Sequence, residues 1–209
     1  MGHAGMAAAA VRYLRSVEAA PERGPVEVLP RPELRCVGED ERAPVGPAEF
    51  RRVLGNFATG VAVVTAPAPA STTDDPQAPA PAPAGFACQS FSSLSLDPPL
   101  VAFMVGRTST TWPRIARAGV FCVNVLSAGQ GELCRAFAVS GADKFAGVPY
   151  DAAPVSGSPR LAGTLAWIDC TIHAVHTGGD HLIVVGRVNA LGASEGDEAP
   201  LLFHKGRFL

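Results

Sequence analysis

The sequence predicts a mainly β protein, an antiparallel barrel or sandwich with short helices inserted between the strands. About six segments have the composition of strands, and they do not alternate with helices in the βαβ manner of a parallel sheet. The strongest pairing signal is Thr177–Gly178–Gly179–Asp180, which separates two long apolar segments as a hairpin turn does. No GxGxxG motif follows a strand, so a doubly wound nucleotide-binding fold is not supported.

The first ordered element is predicted to be an amphipathic helix that begins at Pro47. In PAEFRRVLGNF, the residues Phe50, Val53, Leu54 and Phe57 recur at helical spacing and therefore share one face. The dipeptide that follows, Thr-Gly, ends this period, and VAVVT is predicted to be a buried strand over Val61–Thr65.

The other elements follow from the same patterns. Strands are predicted in GFACQSFSSLSL, LVAFMV and VFCVNVL, helices over Ser109–Ala118 and Gln130–Phe137, a strand pair in LAWIDCTIHAV and HLIVVGRVNAL, and a short strand and turn in PLLFHKGRFL. The apolar period of each segment is short, as expected of a small sheet with inserted helices.

Two segments account for much of the unusual composition. The 22 glycines and 19 prolines exceed the usual share, and twelve of the prolines lie in residues 1–47 and 67–83. Residues 1–46 lack an apolar period and are predicted to form a flexible N-terminal arm. Residues 66–84 are an Ala/Pro-rich loop inserted between two strands of the domain that spans 47–209.

Charge and cysteine content exclude several classes of function. A net charge of −2 gives no electrostatic basis for binding nucleic acid or an anionic membrane, and the apolar run Met6–Val11 is too short for a signal or a span. Five cysteines without a CxxC pair indicate reduced thiols in a cytoplasmic protein. His173 and His176 fall on opposite faces of a strand, so no metal site is expected.

Three segments could carry chemistry, and each has a plainer interpretation. The serines of GFACQSFSSLSLDPP could bind a planar heteroaromatic ligand with a polar edge, or could belong to an exposed edge strand. RTSTTW could bind an anion at a helix N-terminus, or could only cap that helix. In GGDH, Asp180 could fix the imidazole of His181, or the segment could be an ordinary exposed hairpin. No His or Asp is tied to a particular serine by its spacing, so a serine nucleophile has little support, and the neighbours of Cys88 offer no positive charge that would lower its pKa.

Taken together, the motifs resemble the flavin reductase family, the reductase components of two-component flavin-dependent monooxygenases. The resemblance rests on FRRVLGNFATGVAVVT, GFACQSFSSLSLDPPLV, FCVNVL, ADKFAG, GSPRLAGTLAWIDC, GGDHLIVVGRV and PLLFHKGRF, in this order. The segments GFACQSF, FCVNVL and DKFAG are especially similar to those of the reductases that serve an actinobacterial hydroxylase of a phenolic secosteroid.

The resemblance implies a six-stranded antiparallel split β-barrel homodimer that binds FMN or FAD near the subunit interface. It implies flavin ring and ribityl contacts from Cys88, Gln89, Ser90, Phe91, Ser93 and Ser95, with Gln89 standing where most relatives have Asn. It implies phosphate contacts from Arg107, Thr108, Ser109 and Thr110, and further contacts from Lys144 and Phe145. His181, with Gly179 and Asp180, matches the part that meets the nicotinamide, and Arg207 and Phe208 are expected to close over it.

The implied activity is hydride transfer from NADH to flavin, with reduced flavin passed to a partner monooxygenase. Because the two cofactors supply this chemistry, no acid–base pair of the protein is needed. NADH is favoured over NADPH, since Lys205 and Arg207 are the only basic residues that await a 2′-phosphate. The alternatives are a non-catalytic flavin- or haem-binding split barrel, and an oxidase related to pyridoxamine-phosphate oxidases.

Overall fold

The fold is mainly β, with antiparallel sheets and three short helices in the part of the chain that the structure describes. In a computed structural model, the described residues are 45–69, 81–141 and 143–209. The elements are α1 (Pro47–Leu54), β1 (Thr59–Gly60), β2 (Ala62–Ala66), β3 (Ala84–Cys88), β4 (Ser92–Leu96), β5 (Pro99–Gly106), α2 (Trp112–Ala118), β6 (Val120–Val125), α3 (Gly131–Ala138), β7 (Tyr150–Ala152), β8 (Pro159–Leu161), β9 (Ala166–Gly178), β10 (His181–Ala193), β11 (Leu202–His204) and β12 (Arg207–Phe208).

Seven of these strands form the main sheet, in the order β3-β2-β6-β9-β10-β5-β4, and every pairing in it is antiparallel. The predicted antiparallel β class is therefore confirmed, while the main sheet has seven strands where six were predicted. The predicted strand in GFACQSFSSLSL is divided into β3 and β4. The strands that were not predicted are short: β7 and β8 pair with each other, and β1 and β12 flank β11, the short strand predicted near the C-terminus, in a small three-stranded sheet.

The long hairpin of β9 and β10 is the predicted one. His181 pairs with Gly178, and Gly179 takes a left-handed φ of 66°, which glycine adopts without the cost that a Cβ would add. His181 also pairs with Gly106 at the end of β5. The hairpin turn is therefore placed beside the end of β5, where the hydroxyl-rich segment begins.

The core is aromatic at its centre. Phe103, Phe121 and Ile115 are fully buried, and the Phe103 ring meets the Phe121 ring edge-on, with centroids 5.2 Å apart. A second buried cluster around Phe137 packs α3 against the opposite face of β2. Both faces of the central strands are thus covered, which explains why β2 is buried along its whole length.

A buried asparagine attaches β8 to the main sheet. The side-chain amide of Asn124 donates to the carbonyls of Val63 and Pro159, each at 3.2 Å, and its Oδ1 accepts from the Leu161 N–H at 2.8 Å. Because a buried amide is costly unless it is paired, this network fixes the position of a strand only three residues long.

The helix before β6 begins later than predicted, whereas the first helix forms where it was predicted but leaves its apolar face exposed. The helix predicted over Ser109–Ala118 begins at Trp112, and the Ser109 hydroxyl accepts the Trp112 N–H at 3.2 Å. The predicted first helix is confirmed as α1, but none of its residues is buried within this chain, and Phe50, Val53 and Leu54 are exposed.

The predicted N-terminal arm, 1–46, lies outside the described residues except for its last two, and the interior of the Ala/Pro-rich loop, 70–80, lies outside them as well. The strands on either side of that loop pair directly, Ala66 with Ala84, as strands of a hairpin do. Among the described helices, none is long and apolar enough to cross a membrane.

Candidate active site

A cavity of about 670 Å³, here called the main cavity, opens at the end of the sheet where β3, β5 and the β9–β10 turn meet. The end of α3 and the C-terminal strand β12 form its other walls. Its lining residues are Val61, Phe86, Ala87, Cys88, Gln89, Ser90, Met104, Val105, Gly106, Thr108, Ser109, Thr110, Thr111, Cys134, Arg135, Phe137, Ala138, Ser140, Lys144, His181, Phe203 and Phe208.

Ser90 fixes one wall of the main cavity. Its hydroxyl accepts the Met104 N–H at 2.9 Å and donates to the Met104 carbonyl at 3.0 Å, so the segment between β3 and β4 is fastened across to β5. Because both functions of the hydroxyl are used in this way, Ser90 serves to hold Cys88 and Gln89 against the cavity.

A run of hydroxyl groups follows β5. Thr108, Ser109, Thr110 and Thr111 all line the main cavity, and the Arg107 N–H donates to the Asp180 carbonyl at 3.0 Å. This backbone bond joins the hydroxyl run to the β9–β10 turn, so the two predicted motifs RTSTTW and GGDH form one edge of the cavity. The side chain of Arg107 is exposed and does not line it.

One ring nitrogen of His181 is hydrogen-bonded to Asp180, and the other lies near the wall of the main cavity. Its Nδ1 lies 2.7 Å from Asp180 Oδ1, and this hydrogen bond lowers the pKa of the Asp180 carboxyl. A Cβ placed on Gly106 would lie 3.9 Å from His181 Nε2 and 3.9 Å from the Thr108 hydroxyl. The bare backbone at Gly106 therefore leaves a gap between the imidazole and the hydroxyl run.

Lys144 closes the far end of the main cavity. Its ammonium donates to the carbonyls of Gly85 at 3.1 Å and Phe137 at 3.0 Å, so it ties β3 to the end of α3. Burial, together with the nearby charge of Arg114, lowers the pKa of Lys144. One of its three ammonium protons stays available to an anion.

The thiols are held in their neutral form. Burial raises the pKa of Cys88, which lines the cavity, and it raises the pKa of both Cys122 and Cys170 in the core to about 12. Because the thiolate is the reactive form, Cys88 is poorly suited to be a nucleophile. The four described cysteines are all free, and no described group of three metal-ligating side chains could hold a metal ion.

The structure brings nine of the predicted site residues into the main cavity: Cys88, Gln89, Ser90, Thr108, Ser109, Thr110, Lys144, His181 and Phe208. Phe91 lies in an adjoining groove, and Phe145 packs edge-on against Phe137 behind the cavity. The other predicted residues are not among those that line the main cavity: Ser93, Ser95, Arg107, Gly179, Asp180 and Arg207.

The cavity also contains residues that sequence reasoning missed. Arg135 lines it, with its guanidinium 5.2 Å from the centre of the Phe208 ring, and Met104 and Phe203 complete the apolar wall. Arg135 pairs with Glu132 one turn earlier in α3, a spacing that in a sequence indicates only a solvated helix face. Arg135 and Phe208 are far apart in the sequence, so no local pattern could predict that they meet.

The donor set fits a flavin nucleotide. Phe86, Met104, Val105 and Phe208 give an apolar surface suited to a flat ring system, and the hydroxyl run with Lys144 gives the donors that a phosphate group takes. Because Gly106 has no side chain, the cavity stays open between the His181 imidazole and the Thr108 hydroxyl.

Comparison with known proteins gives one consistent result. The model of the family described as "Flavin reductase like domain" matches residues 54–209. A Rhodococcus jostii protein named "Flavin-dependent monooxygenase, reductase subunit HsaB" is 47% identical over 164 residues, which are 78% of this chain and 77% of that protein. A Pseudomonas putida "Flavin reductase" is 44% identical over 174 residues, which are 83% of this chain and 95% of that protein.

Solved structures agree. A Streptomyces globisporus "NADH:FAD oxidoreductase SgcE6 in complex with NAD and FAD fragments" superposes with a TM-score of 0.68 at 36% identity, covering 78% of this chain and 90% of that one. Nitrilotriacetate monooxygenase component B from Mycobacterium thermoresistibile gives 0.69 at 43% identity, covering 77% and 83%. By its matched family model and by these relatives, the chain belongs to the flavin reductase family.

Proposed function

We propose that the protein is an NADH-dependent flavin reductase that supplies reduced FMN or FAD to a separate monooxygenase. The observation that carries the proposal is the main cavity, in which His181, the hydroxyl run at Thr108–Thr110 and the wall at Cys88–Ser90 face one volume. The Rhodococcus relative is named as a monooxygenase reductase subunit and the Streptomyces enzyme as an NADH:FAD oxidoreductase, and both names support this function.

The protein's part in the reaction is to bind and orient. A bound flavin supplies the ring that accepts a hydride from NADH, and this chemistry belongs to the cofactors. The apolar wall of Phe86, Met104 and Phe208 holds flat rings and excludes water, while Thr108, Ser109 and Thr110 bind phosphate oxygens. His181, fixed by Asp180, positions the nicotinamide beside them.

The site offers more support for NADH than for NADPH. Arg207 is exposed and does not line the main cavity, while Lys205 lines the adjoining groove. These are the two basic residues that the sequence offers for a 2′-phosphate, and neither lines the main cavity, where the nicotinamide is expected to bind. The free thiols of the described cysteines fit the reducing cytoplasm, where we expect the protein to act.

The direct test follows NADH absorbance in a mixture of purified protein, NADH and either FMN or FAD. We expect NADH oxidation that requires flavin, proceeds faster with NADH than with NADPH, and supplies reduced flavin to an added flavin-dependent oxygenase. A protein that binds flavin or haem but leaves NADH unconsumed would instead be a non-catalytic split-barrel carrier. Consumption of a pyridoxamine phosphate without NADH would identify the oxidase alternative.

We also infer a split barrel that forms a homodimer. Two hydrogen bonds between the Ser90 hydroxyl and the Met104 backbone hold the β3–β4 connection against β5, which supports closure of the sheet into a barrel. A groove of about 850 Å³ beside the main cavity is lined by Leu54, Phe57, Phe91, Met104 and Phe203, and Phe57 is 76% exposed. An exposed apolar groove on a domain with few charged residues is typical of a subunit interface. We therefore expect a second copy of the chain to cover it.

We expect the Phe57→Asp variant to be monomeric at micromolar concentration, because the substitution removes a large exposed apolar side chain from the proposed interface and places a charge there. Light scattering coupled to gel filtration measures the mass directly. Val139→Asp, at an exposed apolar residue after α3, is the matched control and should stay dimeric. A wild-type protein that elutes as a monomer would contradict the homodimer.

A further inference from the structure

A second cavity, of about 280 Å³, adjoins the main cavity; we call it the Arg114 cavity. Its lining residues are Ala82, Pro83, Gly85, Thr110, Thr111, Arg114, Gly141, Asp143, Lys144 and Phe145. Thr110, Thr111 and Lys144 line both cavities, so the two volumes share a wall. Nothing in the sequence pattern singled out Arg114, and the proposed function leaves this cavity without a role.

Two cations face the Arg114 cavity. The Arg114 guanidinium donates through Nη2 to the carbonyls of Ala82 and Pro83, which anchors the chain just before β3. The Lys144 ammonium is anchored by two carbonyls of its own. Neither cation forms a salt bridge with a carboxylate of the described residues. The Arg114 charge contributes to the lowered pKa of Lys144, as expected for two like charges held near each other.

One acid lines the same cavity. Asp143 is exposed, and its Oδ1 accepts the Phe145 N–H at 3.2 Å, so part of its capacity is used to shape the turn before Phe145. With Arg114, Lys144 and Asp143 counted together, the lining keeps a net positive charge. The hydroxyls of Thr110 and Thr111 add neutral donors, and the set as a whole suits an anion with several oxygen atoms.

We propose that the Arg114 cavity binds the adenylate phosphate of FAD, so that the protein prefers FAD to FMN. This inference rests on the proposed function, in which Thr108–Thr110 bind the phosphate that FMN and FAD share. The two phosphates of FAD are joined through one oxygen atom, so the second must lie in a volume that adjoins the first. Thr110 and Lys144, which line both cavities, stand at that junction.

Arg114 is suited to this role by its geometry. Only Nη2 of its guanidinium is engaged with the Ala82 and Pro83 carbonyls, and these bonds hold the group at the cavity wall. The guanidinium has five N–H donors in a fixed plane, so others remain for phosphate oxygens. A preordered arginine loses little side-chain freedom when the anion binds.

The test compares the affinities of FAD and FMN by equilibrium quenching of flavin fluorescence, without NADH, in wild-type protein and in Arg114→Met. We expect the wild type to bind FAD about tenfold more tightly than FMN, and the variant to lose about tenfold in FAD affinity, as for one charged hydrogen-bonded contact. FMN affinity should change by less than about twofold, since FMN lacks the adenylate phosphate.

Arg117→Met is the matched control, because Arg117 lies on the same helix but lines neither cavity, and it should change neither affinity. A wild type that oxidises NADH but binds FMN as tightly as FAD would overturn the inference and leave the proposed function standing, whether or not the variant folds. Equal losses for both flavins in Arg114→Met, or a change confined to NADPH relative to NADH, would also overturn it. A wild type that binds neither flavin would instead reject the proposed function.

Discussion

Replacing Gly186 by alanine is expected to lower the free energy of unfolding by about 2–4 kcal/mol, more than the same change at any other glycine that the structure describes. Gly186 is buried on β10, and a Cβ there would stand 3.0 Å from Cε1 of Phe121 and closer still to its Cζ. Phe121 cannot withdraw easily, because it is fully buried and its ring already meets Phe103 edge-on. The ring rests on bare backbone, and the added methyl group must displace either the ring or the strand.

Thermal unfolding followed by circular dichroism measures the effect, at one protein concentration because the protein is expected to dimerise. A loss of this size should lower the Tm by roughly 5–15 °C in a domain of this length. Gly129→Ala is the matched control, since no atom lies within 4 Å of a Cβ at that position, and its Tm should change little. Adding Phe121→Leu to Gly186→Ala should recover part of the loss, because the shorter side chain gives up the volume that the methyl group needs. A Tm within about 1 °C of wild type for Gly186→Ala alone would contradict the packing argument.

The sequence could predict the elements that local chemistry determines. The β9–β10 hairpin depends on a turn whose glycines and aspartate are adjacent in the chain, and its turn lies where the pattern predicted. The strands β5, β6, β9 and β10 are rich in apolar and β-branched residues, a composition that is recognisable without any tertiary contact. The resemblance to the flavin reductase family, rather than the local pattern alone, pointed to His181 and to the hydroxyl run at Thr108–Thr110, and both line the main cavity.

Other features depend on contacts between distant residues and left no local signal. Strands β7 and β8 are three residues long, too short for a period, and they are fixed by side chains from elsewhere. Asn124 accepts the Leu161 N–H, and Asp169 accepts the N–H groups of Val155 and Ser156 in the connection between the two strands. Hydrogen bonds between residues so far apart in the chain cannot be predicted from a local sequence pattern.

The start of α2 and the serine-rich strand β4 show a second limit of prediction from sequence. Ser109, Thr110 and Thr111 have the composition of a helix N-terminus, yet α2 begins at Trp112, with Pro113 in its first turn. Ser93 and Ser95 lie on β4 and do not line the main cavity, although Ser90 and Gln89 of the same motif do. A motif identifies which segment approaches the ligand, and the register of the strand decides which side chains reach it.

Replacing His181 by alanine is expected to lower kcat/KM for NADH by about 10- to 100-fold, while the affinity for flavin changes by less than about twofold. The imidazole lines the main cavity beside Gly106, and Asp180 holds its Nδ1 at 2.7 Å. The ring is therefore ordered before substrate arrives, so its loss removes an oriented contact with the nicotinamide rather than a mobile one. The fold should persist, because the side chain is exposed to solvent on its other side and takes no part in the core.

Steady-state kinetics with NADH at saturating flavin, set beside flavin titration by fluorescence, separates the two effects. The fall in kcat/KM corresponds to a loss of about 1.4–2.7 kcal/mol of transition-state stabilisation. His176→Ala is the matched control, since His176 is exposed on the same hairpin and lines neither cavity, and its kinetics should equal those of the wild type. If flavin affinity falls together with kcat/KM in the His181→Ala variant, the side chain supports the flavin site instead. If both stay unchanged, His181 is an ordinary hairpin residue, and the nicotinamide must be positioned by another wall of the cavity, such as the one that Arg135 and Phe208 form.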